Sequence, residues 1–396
     1  MTKKKISKEA KRQKQNLAII YALGLIVAIS TALPSYIQSN YLNQFVGLKT
    51  VSLFFIVANI FGAASILFFP NVIKRFSNYL SGRWLFALYV FSLYGLSAAW
   101  SPLSALAFIA LYSVSNNLLW ISFDIIIERF SCNATTGQTR TIYFTFMNLG
   151  WIIAPSLSYW LVAKGGYSLS FLVSVAFAIP CLAAFFALRR RFQDDTKKYQ
   201  KESPIRSLKK TWQDKNLRSS FIIATLLQLF YSSAVIYVPI YLVQNLGMSW
   251  TSIGPIFSFM LIPFLLIEIP AGKIADRYLG EKEMMFIGVL ILSLALFLFF
   301  SIDKPVVWVW ASVLFFSRVG AALVESMKES YFFKLVDASD VGLINIFRLT
   351  TPLAYVINSA IAIIILDYFP VNYIFLAMGL IMTSGLLAVL AIKDSR

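Results

Sequence analysis

Charged side chains set inside otherwise apolar runs are the part of this sequence equipped for chemistry. Seven stand out: Asp124, Glu128, Glu268, Arg318, Glu325, Glu329 and Arg348. Carboxylates four residues apart share one helix face and repel modestly. The pairs Asp124 with Glu128 and Glu325 with Glu329 therefore call for basic partners. Lys74 and Arg75 are candidates for the first pair. Arg277 or Arg348 is a candidate for the second, with Glu268 and Asp276 competing for the same cations. Ion pairs made in one state and broken in another form a two-state gate. The other readings are a proton site, in which one of two crowded carboxyl groups keeps its proton, and ordinary interfacial charge. Arg318 and Glu325 stand seven residues apart, about 10 Å along a helix, too far for a direct pair unless both reach toward a common group. Arg318 holds an anionic substrate group, tunes a nearby carboxylate, or is fixed in a pair with Glu325 or another helix.

Other chemistries are excluded by what the sequence lacks. It has no histidine, and its two cysteines, Cys132 and Cys181, supply neither a metal cage nor a disulfide framework. Histidine is the side chain that normally titrates near neutrality, so any proton coupling falls to carboxylates. No Gly-x-x-x-x-Gly-Lys-Ser/Thr loop is present, so ATP is not the direct energy source. A membrane-embedded hydrolase or transferase would need converging nucleophile, base or metal ligands. The sequence reads as a non-enzyme with no cofactor and no metal.

The elements that carry these charges must be membrane helices. Hydrophobic residues make up 59% of the 396 and charged ones 13%, against about 45–50% and about 25% in a soluble domain. Too little polar material remains to cover a water-facing surface. A helix crosses a bilayer with about 20 mostly apolar residues. Such runs occur at 17–38, 50–70, 84–100, 103–127, 141–163, 168–188, 219–243, 251–272, 284–301, 305–327, 342–366 and 370–392. Strands of a membrane barrel would be near ten residues and alternating in polarity; these are neither. The expectation is an all-α membrane protein with twelve transmembrane helices. The first run follows a basic tail like that of a signal peptide, but it is too long for an h-region and no small-residue cleavage site follows. It is read as a retained helix.

Lys and Arg sort by side. Thirty fall in one alternate set of connections and tails, and only Lys49, Lys164 and Lys304 in the other. The positive-inside rule then puts both termini in the cytoplasm. The net charge of +17 is a topology label rather than a nucleic-acid footprint. A multi-pass monomer in a bacterial-type plasma membrane is expected, with the lipid bilayer, a small-molecule substrate and protons as its partners and no nucleic acid.

The two halves repeat. Pro34, Tyr36 and Asn40 near the end of the first run match Pro239, Tyr241 and Asn245 near the end of the seventh, at a shift of 205. The Asp124/Glu128 pair matches Glu325/Glu329 at a shift of 201, and Pro70 with Lys74-Arg75 matches Pro270 with Asp276-Arg277. The segments are a tail at 1–16, a six-helix bundle at 17–188, a basic cytoplasmic linker at 189–218, a second six-helix bundle at 219–392 and a tail at 393–396. Duplicated halves of this kind are a transporter signature.

The segment Gly272-Lys273-Ile274-Ala275-Asp276-Arg277-Tyr278-Leu279-Gly280-Glu281-Lys282 resembles the Gly-x-x-x-Asp-Arg-x-x-Gly-Arg/Lys loop of the major facilitator superfamily of secondary transporters. Its first-half counterpart, Asn71-Val72-Ile73-Lys74-Arg75-Phe76-Ser77-Asn78, lacks the Gly and Asp. Gly150-Trp151-Ile152-Ile153-Ala154-Pro155 is similar to the Gly-x-x-x-Gly-Pro element of the family's antiporters, with Ala154 replacing the second glycine. The resemblance implies two pseudo-symmetric bundles around a central cavity lined by the first and fourth helices of each. Asn116, Asn117, Trp120, Gln228, Tyr231 and Arg318 are then cavity candidates, and the loop residues latch the cytoplasmic side. The function implied is alternating-access transport, proton-coupled export of amphiphilic compounds by default. A symporter or uniporter of a polar or anionic metabolite, or a lipid flippase on the same scaffold, are the alternatives.

Overall fold

In lipid a backbone must satisfy its own N–H and C=O groups, which a helix does within one segment. The computed structural model of the chain describes residues 3–130, 136–189, 203–336 and 341–392; within these, the side chains at 3–14, 128–130, 136–141, 269, 273, 276–277 and 341 lie outside the described part. Every regular element among the described residues is helical. The first half contains α1 (Lys3–Ser35), α2 (Gln38–Asn43), α3 (Leu48–Phe76), α4 (Asn78–Ser97), α5 (Pro102–Phe130) and α6 (Thr136–Ala187). A short helix α7 (Pro204–Gln213) precedes α8 (Lys215–Ser232), which π-helical turns carry on to Asn245. Then come α9 (Trp250–Met260), α10 (Ile262–Ile274), α11 (Glu281–Ser301), α12 (Val307–Leu335), α13 (Val341–Arg348), α14 (Thr350–Leu366) and α15 (Tyr373–Ala391).

Ten stretches among the described residues are long and apolar enough to cross a membrane. Two places account for the difference from the twelve runs read in the sequence. Asn78–Ser97 is a 20-residue helix diluted by Asn78, Arg83, three serines and three tyrosines, although Phe86, Tyr89, Leu93 and Leu96 on it are wholly buried. Ile142–Ala187 is one 46-residue run, about 69 Å if straight and more than twice the roughly 30 Å hydrocarbon core. It folds back at Gly165 and Gly166. Gly166 has φ of 71°, a conformation side chains with a Cβ rarely adopt. Both arms reach α1: Ser158 Oγ donates to the Leu33 carbonyl at 2.6 Å and Ser30 Oγ donates to the Ser174 carbonyl at 2.8 Å.

With no hydrophobic drive between helices in lipid, close approach needs small residues. At Gly150 a methyl group would lie 2.8 Å from Ala28 Cβ and 3.0 Å from the Leu25 carbonyl oxygen, so this glycine lets α6 settle onto α1. The run read as 251–272 is broken at Leu261 between α9 and α10, with Pro263 in the first turn of α10. Within the halves, α4 packs on α5 and α6, and α11 on α12 and α15. Across them, α3 packs on α14, and α9 on α6.

One repeated detail has a different register from the sequence match. The Tyr41 hydroxyl donates to the carbonyl of Leu96 at 2.6 Å, and the Tyr241 hydroxyl to that of Ile302 at 2.9 Å. The first ties α2 to the end of α4, and the second ties the π-helical continuation of α8 to the end of α11. Tyr41, rather than Tyr36, therefore stands where Tyr241 does, because a bond to a helix end fixes position more tightly than letter identity.

Candidate functional site

A cavity of about 670 Å³ lies between the halves, walled by α1, α3, α5 and α6 on one side and by α8, α10, α12, α13 and α14 on the other. Asn116, Asn117 and Trp120, followed one turn on by Asp124, fall on one face of α5 because three- and four-residue steps keep to one stripe of a helix. Arg318, Glu325 and Glu329 do the same on α12, and Gln228 and Tyr231 on α8; all nine line the cavity. Glu268 of α10 and Arg348 of α13 line it too. Lys74 and Arg75 do not: both are exposed at the end of α3, and Arg75 lies over the Phe76 ring at 5.2 Å. Pro70 breaks no helix there, so α3 carries the two basic residues outward past the cavity. The expected partners Glu128, Asp276 and Arg277 lie outside the described residues' side chains.

Arg318 is 1% exposed. Its guanidinium stands 5.0 Å from the Phe230 ring centroid and 5.9 Å from that of Tyr231. The Tyr36 hydroxyl faces it, and Tyr355 stands beside both. Among the described residues no carboxylate lies within ion-pairing distance of it. Its nearest hydrogen-bond partner is Ser317 on its own helix at 3.4 Å, and its Nε has none.

The carboxylates gather at the end of the cavity nearest the linker helix α7, which packs on α8 and α13. Arg348 lies 3.7 Å from Asp124 of the first half and 3.5 Å from Glu329 of the second. Lys328, 4% exposed, lies 3.6 Å from Glu325 and 3.2 Å from Glu329. Glu325 also accepts a short hydrogen bond from the Tyr231 hydroxyl. Glu268 faces Glu325 and Tyr231 and, among the described residues, has no basic or hydrogen-bonding partner.

The opposite end is closed by neutral groups. Asn43 Nδ2 donates to Gln244 Oε1 at 2.6 Å, and Gln244 Nε2 donates to Asn40 Oδ1 at 3.2 Å. Ser52 and Tyr237 share a hydrogen bond at 2.8 Å, and Ser156 donates to Ser258 Oγ at 2.7 Å. Tyr36 meets Phe257 at 5.1 Å, and Tyr159 stacks on Trp250 at 5.3 Å. A single exposed ion pair, Lys49 with Asp367, joins them at the rim. Every one of these contacts joins the first half to the second.

The Major Facilitator Superfamily profile matches residues 17–324 and 256–396, nearly the whole chain. The chain belongs to the Major Facilitator Superfamily. Its ten membrane-length apolar stretches among the described residues agree with that membership in a family of multi-pass membrane transporters. The protein "Sugar efflux transporter A" of Escherichia coli (strain K12) is 26% identical over 156 residues, 36% of each chain, so the match spans about a third of that relative's length. The crystal structure of a POT family transporter in complex with 5-aminolevulinic acid superposes with a TM-score of 0.78 over 95% of both chains, at 12% identity. That likeness concerns the fold alone.

In this major facilitator three residues take their roles only from the folded chain. Lys328 is buried and pairs with Glu325 at the i,i+3 spacing. Tyr36, in the sequence a landmark of the repeat, and Tyr355 line the cavity. Only the packing of α1 and α14 brings their hydroxyls toward Arg318.

Proposed function

We propose that the chain is a proton-linked exporter of a small, polar, hydroxyl-rich solute. It works by alternating access between two six-helix bundles, 17–188 and 219–392, of a twelve-span protein whose linker side faces the cytoplasm. The observation that carries this reading is the cavity between the halves, its wall holding polar side chains among apolar ones, with a different kind of cross-half closure at each end. Separable closures on either side of one site are what rocking transporters require.

The cavity wall favours a polar solute over an amphiphilic one. Six amide side chains reach it: Gln38, Asn59, Asn116, Asn117, Asn148 and Gln228. Amides donate and accept at once, so they pair with hydroxyls in either sense, while Trp120, Trp151 and Tyr112 offer flat apolar faces. The relative named for sugar efflux agrees with that chemistry and with outward movement. Glu268 is the proton carrier in this reading. A bare carboxylate in a span costs at least about 2.5 kcal/mol, a cost that a proton removes, and its neighbour Glu325 is already held by Tyr231 and Lys328.

The test is flux in reconstituted vesicles. Labelled mono- and disaccharides trapped with the protein should leave faster when a pH gradient is imposed, and collapse of the gradient should return the rate to its basal value. Saccharide movement indifferent to the gradient would remove proton coupling. Movement of labelled lipid without any solute flux would replace the exporter by a flippase.

A further inference from the structure

Arg318 poses a physical problem that the transport reading leaves open. A guanidinium within a span needs a counter-charge or water, and removing one partner of a buried pair is strongly unfavourable. Arg318 is nonetheless buried without any carboxylate in range among the described residues, its Nε unpaired, and it forms part of the cavity wall. The nearest acid on its own helix face, Glu325, is occupied by Tyr231 and Lys328. Around the guanidinium stand Phe230, Tyr231, Tyr36 and Tyr355, with Ser317 on its own helix. Rings hold a cation by their faces without using its in-plane N–H donors. Apart from a 3.4 Å contact from Nη1 to Ser317 and the Tyr36 hydroxyl beside the group, those donors are open to a planar acceptor, the arrangement in which Arg reads carboxylates two bonds at a time.

We propose that Arg318, with the hydroxyls of Tyr36 and Tyr355, is a binding site for a carboxylate carried by the transported solute. The solute class becomes a hydroxyl-rich monocarboxylate, such as a sugar acid. A single negative charge suits the cavity better than a phosphate dianion. Asp124, Glu268, Glu325 and Glu329 line the same space, and the described cations Arg318, Arg348 and Lys328 number one fewer, so a second negative charge would meet repulsion. The amide side chains take the hydroxyls while Arg318 takes the acid. This inference rests on the polar-solute reading and narrows it.

The experiment compares D-glucuronate with D-glucose, which share the hydroxyls at C1 to C4 and differ at C6, a carboxylate in one and a hydroxymethyl group in the other. Binding to the purified full chain in lipid nanodiscs is followed by calorimetry. Glucuronate should bind tighter by about tenfold or more, the range of one charge-assisted hydrogen bond. Arg318→Gln should erase the difference, and Arg318→Lys should keep part of it. Equal affinity for the two probes, binding of neither, or a preference that survives Arg318→Gln overturns the proposal. The wild-type comparison alone decides the matter should Arg318→Gln not fold. D-glucose 6-phosphate is the third probe, and its binding more tightly than glucuronate overturns the single-charge assignment. The parent reading fails separately. Equal probe affinities with gradient-driven saccharide flux would sink only the carboxylate site, whereas an acid preference with flux blind to the gradient would sink only the coupling.

Discussion

The two ends of the cavity are closed by different chemistry. At the far end the halves meet mainly through amides, hydroxyls and stacked rings, packed closely over Asn40, Asn43, Ser52, Tyr159, Tyr237, Gln244, Trp250 and Phe257, with the exposed Lys49–Asp367 pair only at the rim. At the linker end the described cross-half polar link is Arg348 to Asp124, with both side chains about one-third exposed, beside the packing of Leu349 on the cluster of Ile66, Phe69, Ile73 and Leu118. A neutral hydrogen bond contributes about 0.5–1.5 kcal/mol, an aromatic pair about as much, and a solvated ion pair about 0–1 kcal/mol. The far end therefore holds more tightly in this state, and the linker end is the one poised to part. Neutral closures are insensitive to salt and proton concentration, whereas the ionic end sits beside Glu268 and can respond to both. The contrast teaches that coupling is expected at one end only.

The largest effect should come from inverting the cross-half charge. Arg348→Glu sets a third carboxylate against Asp124 and Glu329, and like charges in contact cost several kcal/mol. Gradient-driven flux should fall by more than about tenfold, with partial recovery in the Asp124→Arg, Arg348→Glu double variant. Normal flux in the single variant would show that the linker-end pair latches nothing. Next, Glu268→Gln should bring flux in a pH gradient down to the rate without one, while exchange of solute at equal pH continues. Loss of both activities would make Glu268 part of the binding wall instead.

A smaller effect is expected at the far end. Tyr237→Phe removes the bond to Ser52 and should shift the balance toward the far-side-open state by roughly two- to tenfold, the range of one neutral hydrogen bond. The readout is labelling of Asn117→Cys by a membrane-impermeant thiol reagent added from the far side, and an unchanged rate would exclude that bond from the closure. Smallest of all is the response to salt. Taking the ionic strength from about 0.1 M to about 1 M shortens the Debye length from about 10 Å to about 3 Å. Linker-side accessibility should rise slightly and far-side accessibility stay constant; a matching rise on both sides would erase the contrast.

Much of this arrangement was readable from the amino acids because one helix carries its own geometry. Asn116, Asn117 and Trp120 share a stripe of α5, and Arg318 and Glu325 a stripe of α12, by helical period alone. Which stripe faces which partner is a tertiary fact. Lys74 and Arg75 had the right charge for Asp124, but α3 runs past the cavity, and Arg348 from the other half takes the place. The run at 84–100 found the helix Asn78–Ser97 but started late, because its polar first turn is absorbed by packing: Asn78 Nδ2 donates to the Ser122 carbonyl at 3.0 Å. The fold-back at Gly165-Gly166 falls in the gap between the runs at 141–163 and 168–188. The Tyr41/Tyr241 equivalence was hidden because it depends on where α4 and α11 end.

The central claim, one cavity opened to opposite sides by separable closures, is tested most directly by two distances measured on the same protein. With Cys132 and Cys181 replaced by serine, spin labels at Leu103→Cys and Trp308→Cys report the far side, where both positions are largely exposed. Labels at Phe76→Cys and Tyr278→Cys, also exposed, report the linker side. Double electron–electron resonance across a change of pH should show one distance lengthening as the other shortens. Two distances that stay fixed, or that grow and shrink together, would contradict the account.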